Sequence, residues 1–375
     1  MMRGFLVTVV VVGGGCSSPS AKIDAPLPGG DAHEFHDAAV DAPPDAPLGP
    51  CTLGSLSLAA TTLAGCGEPG TMNGVRDVVR FDNPVNVALD TSGIAYVPDF
   101  DSNRLRRVDT TGATTTIVNV PQFRRPFGII MTPGGFMYVE TDDNDTMQHG
   151  ANTGTLWKVT PAGQATVILA NHGRPRGLAL LSDGRVATSD YIHNVIEIID
   201  PALATATLVA GTLDVAGHDN LTGAAATFAQ PWDLVVDTAS GDLIVAEHDN
   251  NVLRRVTLAG VVTDFAGTGV PGHLDGPVAT AQFFHPKGIT KDASGALYIT
   301  EEGNHDIRKI ASGMVTTVAG MAGVGGFADN ADPLLAQFQG VEGLDVSADG
   351  KRIVIADGNN GDGSSFNRIR VVTLP

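Results

Sequence analysis

Aromatic side chains make up only 5% of this 375-residue chain, while Gly reaches 46 residues. That balance suits many short strands and tight turns better than large helical cores. Basic residues are also few, 23 Lys and Arg against 41 Asp and Glu, for a formal net charge of −18. A chain without a basic face cannot release counterions from a polyanion, which excludes nucleic acid as a partner. Long apolar runs are missing too; the longest, Phe5 to Val12, is far too short to cross a bilayer as a helix. Cysteine occurs three times. The sequence has no amphipathic helical stretch, no Gly-x-Ser-x-Gly elbow, no phosphate loop and no reactive-cysteine pattern.

What is present is a repeated phrase, rich in Thr and Val and mostly ending in Ala-Gly: AATTLAG at 59–65, ATTTIVN at 113–119, QATVILA at 164–170, TATLVAG at 205–211, VVTDFAG at 261–267 and MVTTVAG at 314–320. The first copy precedes every other repeat element, and the last cycle lacks one. The N-terminal strand therefore has to complete the C-terminal cycle, which describes a closed ring. The cycle at 283–320 splits at its Gly, Asp and Asn turns into four strands, 288–291, 296–300, 306–310 and 314–318. Cycles open at Pro84, Pro126, Pro175, Pro231, Pro286 and the equivalent Val341. The expectation is an all-β fold in one domain over 51–375: a six-bladed β-propeller of four-stranded antiparallel blades, the last closed by an N-terminal strand.

Ahead of it, Arg3, the apolar run and Gly13-Gly14-Gly15 before Cys16 read as an export signal over 1–15. The stretch resembles a bacterial lipoprotein signal, which implies a lipid on Cys16 and an envelope location; without the lipid it reads as an ordinary secretory signal. Residues 16–50, with repeated Asp-Ala-Pro and almost no large apolar side chain, are expected to be an extended acidic tether, and His33 and His36 within it to be solvated spacers. Cys51 and Cys66 form an even pair in an exported chain, the pattern of a disulfide. A straight run over 52–65 would hold the two sulfurs apart, so the bridge requires the chain to double back near Gly54.

Tyr96-Val97-Pro98-Asp99 with Asn103 and Leu105-Arg106-Arg107, Glu247 with Asn251 and Leu253-Arg254-Arg255, and Asp357 with Asn367-Arg368-Ile369-Arg370 follow the openings. This pattern resembles the NHL repeat over about 51–375, which implies the propeller fold and leaves the function open, because NHL propellers serve as enzymes, sensors and binding platforms. The recurrent acids Asp99, Asp190, Glu247, Glu301 and Asp357 are expected to bind backbone N–H groups or the nearby Arg. In the second blade the equivalent turn expands to 141–154, with Asp142, Asp143 and Asp145; Ca²⁺ is conceivable there, but the run lacks the Gly and distant Glu of a known loop and reads as a solvated acidic excursion.

The residue after each opening position belongs at the channel mouth: Val85, Phe127, Arg176, Trp232, Lys287 and Glu342. None is His, whereas the resemblance to NHL-like lyases implies zinc held by His there. Only Glu342 matches the oxygen ligands of the related gluconolactonases. His193, His248 and His305 are expected in outer turns of three blades at unequal offsets, and His285 is offset from the ring, so no shared metal and no cofactor are expected. Phe127, Arg176, Trp232, Lys287 and Glu342 are the candidate ligand-binding set: either the two cations and Trp232 hold an anionic or planar ligand, or Glu342 neutralises both cations and the channel holds water. The resulting expectation is a monomeric binding module for a protein, peptide or envelope polymer, with a lyase or lactonase as the alternative.

Overall fold

Short alternations of β-branched residues, cut every few residues by Asp-x-x-Gly-type turns, fold into six small sheets. The computed structural model describes residues 49–358 and 365–374; the export signal, Cys16 and nearly all of the tether lie outside them. Three of the turns are built alike: Asp90 Oδ1 accepts from the backbone N–H groups of Ser92 and Ile94, Asp109 from Thr111 and Ala113, and Asp292 from Ser294 and Ala296. A short acid that hydrogen-bonds the chain ahead of it holds the reversal without help from packing.

Blade one comprises Ala88–Leu89, Ala95–Asp99, Arg104–Val108 and Thr114–Val118; blade two, Pro126–Met131, Met137–Thr141, Thr155–Val159 and Ala165–Ala170. Blade three comprises Pro175–Leu180, Val186–Asp190, Val195–Asp200 and Thr205–Ala210; blade four, Pro231–Val236, Leu243–Glu247, Val252–Val256 and Val262–Ala266. Blade five contains Pro286–Lys291, Leu297–Glu301, Asp306–Ala311 and Met314–Ala319, within one or two residues of the expected strands, and gains a two-residue edge strand at Gly276–Pro277. Blade six is Gly340–Val346, Arg352–Gly358 and Asn367–Thr373, and its outer strand is Ala60–Gly67, antiparallel to Asn367–Thr373. The innermost strands neighbour one another in turn, and that of blade six returns to that of blade one. The ring is closed by the N-terminal strand.

Apolar clusters fill the spaces between blades, so each blade depends on its neighbour. Two one-turn 3₁₀ segments, Gly223–Ala225 and Pro333–Leu335, are the helical elements among the described residues, and no helix there is long and apolar enough to cross a membrane.

Cys51 and Cys66 are joined, with their Cα atoms 5.7 Å apart. The chain solves the reach by turning at Ser55–Leu58 rather than running straight, and the strand begins only at Ala60. Arg76 donates to the Gly54 carbonyl at 3.0 Å and fastens the returning segment.

Four blades share a further device. The long segments entering blades one, four, five and six each bury a Phe, at 81, 228, 283 and 338. Over each ring lies a third-strand guanidinium, Arg106, Arg254, Arg308 or Arg370, at 4.8 to 5.5 Å. That Arg pairs inward with the acid ending the second strand, Asp99, Glu247, Glu301 or Asp357, at 2.6 to 3.1 Å. Outward it reaches Asn73, Asn220, Asp275 or Asp329 of the entering segment. The terminal nitrogens of each guanidinium thus meet a carboxylate on one side and the entering segment on the other, the partners a buried charge requires. Blades two and three have short entering segments and no such Arg. In blade two Trp157 Nε1 donates to Thr141 Oγ1 at 2.9 Å instead, and in blade three Glu197 stands in the Arg position while Asp190 takes His193.

Candidate functional site at the channel mouth

Two tiers of side chains meet where the inner strands begin. The first is the expected ring: Val85, Phe127, Arg176, Lys287 and Glu342 are at most 5% exposed, and Trp232 is half-buried. The second, which sequence reasoning missed, is the residue just after each recurrent strand-end position: Phe100, Asp142, Tyr191, His248, Glu302 and Gly358. The recurrent strand ends mark its positions in the sequence, while the partners of its side chains come from neighbouring blades.

In the half made by blades one to three, the tiers lock together. Phe100 packs edge-on to Phe127 at 5.9 Å, and Val85 joins them. Arg176 lies over Phe127 at 4.1 Å and over Tyr191 at 4.3 Å, donates to the Tyr191 hydroxyl at 3.0 Å, and is bound by Asp142. Arg174 also reaches Asp142, at 2.7 Å. Burial pushes the Asp142 carboxyl up, but the two guanidiniums outweigh it and hold it well below the usual range.

The expanded loop is therefore not the solvated excursion expected. Asp142 is buried between two Arg, and buried Asp143 pairs with His149 at 2.8 Å and Arg124 at 3.2 Å, leaving Asp145 exposed. Neither basic ring residue is neutralised as expected from Glu342 alone. Glu342 reaches Lys287 at 3.5 Å, Glu302 reaches it at 3.2 Å, and Arg176 is served by Asp142. Asp142 and Glu302 were invisible to a ring drawn from the opening positions.

The half made by blades four and five is more open. Trp232 rests against Tyr191 and His248, at 5.2 and 5.4 Å, with the Lys287 ammonium 4.6 Å from its ring. His248 is not in an outer turn; it lies on this rim, its Nε2 2.9 Å from Glu302 and its Nδ1 2.7 Å from Asp249. His285 stacks on His248 at 4.2 Å. Its backbone N–H donates to Asn251 Oδ1 at 2.9 Å, which locks it in the left-handed conformation, φ 52°. The recurrent Asn does the same across other blade boundaries, Asn103 to Arg125 and Asn194 to Gln230. Burial holds the His285 imidazole below its ordinary pKa, with the neighbouring His248 adding to the effect. His193 and His305 lie elsewhere, bound to Asp190 and to the Gln339 carbonyl.

No protein-family model matches the chain, and no curated protein matches it. Solved structures do. An auxiliary nutrient binding protein from Bacteroides ovatus superposes with a TM-score of 0.64 at 20% identity, over 83% of this chain and 75% of its own. A gluconolactonase from Xanthomonas campestris gives 0.55 at 13% identity, over 88% and 96%. Virginiamycin B lyase from Staphylococcus aureus gives 0.50 at 17% identity, over 79% and 84%. At these identities the likeness is one of fold, and the propeller carries binding proteins, lactonases and lyases alike.

Proposed function

We propose that the chain is an exported, NHL-type binding propeller, lipid-anchored through Cys16 at the bacterial envelope, which engages a protein, peptide or envelope polymer through the open half of its mouth. The observation that carries this reading is the division of the mouth. Arg176 and Lys287 already hold carboxylate partners, so the charge of the first tier is internal, while Trp232, His248, Asp249, His285 and Glu302 stand partly or fully exposed on one sector. A rigid, partly aromatic, net-acidic rim favours a cationic or polar partner. The fold shared with nutrient binding proteins is in keeping with it.

The test is co-sedimentation of the full chain carrying Cys16→Ser with bacterial envelope fragments. Saturable binding that weakens as salt rises is expected; absence of binding at low salt refutes the reading. Metabolic labelling with palmitate should mark the natural chain and not the Cys16→Ser variant.

A lyase or lactonase reading has one specific observation behind it. Two imidazoles and a carboxylate share an accessible rim, and such groups serve acid–base work. Turnover of a lactone or cyclic depsipeptide that is lost in His285→Ala would favour it.

A further inference from the structure

From the rim of blades four and five we infer a site for one divalent transition-metal ion, of the zinc or cobalt kind, held by His248 Nδ1, the Asp249 carboxylate and a ring nitrogen of His285. One ligand atom from each lies within 4.8 Å of the other two. The inference does not depend on what the rim binds.

Three features separate this group from a chance meeting of side chains. The first is how His248 is held. Its Nε2 faces Glu302 at 2.9 Å, and Glu302 is anchored by Lys287 at 3.2 Å. A carboxylate that accepts from Nε2–H keeps that proton in place when Nδ1 gives up its own to a metal ion, the outer-sphere arrangement that metal-binding histidines use. Contacts of its ring with Trp232, at 5.4 Å, and with the stacked His285, at 4.2 Å, restrain its orientation.

The second is His285. It is a bulky residue forced to positive φ by the Asn251 clamp, so its place is set by the fold and not by its own preference. Its ring nitrogens have no hydrogen-bond partner among the described residues, while its ring stacks on His248 and lies 4.4 Å from the tilted Phe284 ring.

The third is charge. Lys287 is offset by Glu302 and Glu342, and Asp249 adds a further carboxylate, so the surroundings are net negative despite the nearby ammonium. Two imidazoles and one carboxylate suit a borderline cation better than Ca²⁺ or Mg²⁺, and three protein ligands leave a coordination position open. Binding needs a small adjustment. The 2.7 Å contact between His248 and Asp249 is a hydrogen bond, and the ion takes the place of its proton while the stacked His285 ring turns to aim a nitrogen at it.

The test uses the full chain, freed of metal by chelator and titrated with Co²⁺, reading the visible ligand-field band and the quenching of tryptophan fluorescence. Trp232 contacts His248, whereas Trp157, the only other Trp, is buried in blade two. One equivalent of Co²⁺, displaced by Zn²⁺, should develop the band and quench Trp232. His285→Ala and Asp249→Asn should each abolish both signals with thermal unfolding unchanged, since both residues lie on the accessible rim. Glu302→Gln should weaken binding by about ten- to a hundredfold. Absence of a Co²⁺ band in the natural chain overturns the inference. So does a band that survives in His285→Ala or Asp249→Asn, which would place the ion elsewhere, the His33 and His36 segment included.

Discussion

The two halves of the mouth use the same architectural positions for opposite ends. On blades one to three the second tier is Phe100, Asp142 and Tyr191, and every group is turned inward onto Phe127 and Arg176. On blades four and five it is His248 and Glu302, which are turned toward a half-exposed Trp232 and an accessible His285. A repeat fold can thus seal one sector of its axis and present another without altering a strand. Function should follow exposure, while stability should follow the sealed sector.

The largest effect expected of breaking that division is in the sealed half. Asp142→Asn leaves Arg174 and Arg176 buried without their carboxylate and should cost about 3–5 kcal/mol in denaturant unfolding. The cost carries a pH signature. Asp142 has a folded pKa held below its ordinary 3.8, so its contribution is complete above about pH 4 and is lost as the pH falls through the folded value. The gap between variant and natural chain should be full at pH 7 and narrow progressively below pH 4.

Next comes the staple beneath the open half. Arg254→Ala removes the partner of Glu247 and should cost about 3 kcal/mol, the lower end for a broken buried pair. Burial already pushes the Glu247 carboxyl up to about 7, so the orphaned acid can take up a proton. Hydrogen exchange should rise over 211–230 and not over the short segment at 171–174. Cys51→Ser should cost about 3 kcal/mol, the loop-closure value for a bridge of this span. Trp157→Phe in blade two, which removes one hydrogen bond to Thr141, should cost only about 1 kcal/mol. His285→Ala should leave stability unchanged and affect binding alone.

The ring, its blade boundaries and its closure by 59–65 were legible because a four-stranded blade repeats its turn chemistry: Asp292-Ala293-Ser294-Gly295 announces a reversal wherever it stands. The first tier was legible for the same reason. The acids read as structural from their recurrence, and Asp99, Glu247, Glu301 and Asp357 do meet Arg. What stayed hidden was the second tier. Asp142 looked like part of an acidic loop because neighbours in sequence were weighed, while its partners Arg174 and Arg176 come from the next blade. His248 and His285 belong to different repeats at different offsets, and only the twist that stacks one blade against the next brings their rings together. Spacing within a repeat carries no signal for that.

The most direct test of the division is a comparison of His285→Ala with Phe127→Leu in the Cys16→Ser background, measured as co-sedimentation with envelope fragments at one low salt concentration. Binding should be lost in His285→Ala at unchanged thermal stability and retained in Phe127→Leu even as its stability falls. Retention by His285→Ala together with loss by a folded Phe127→Leu would contradict the account and place the working surface in the half described here as sealed.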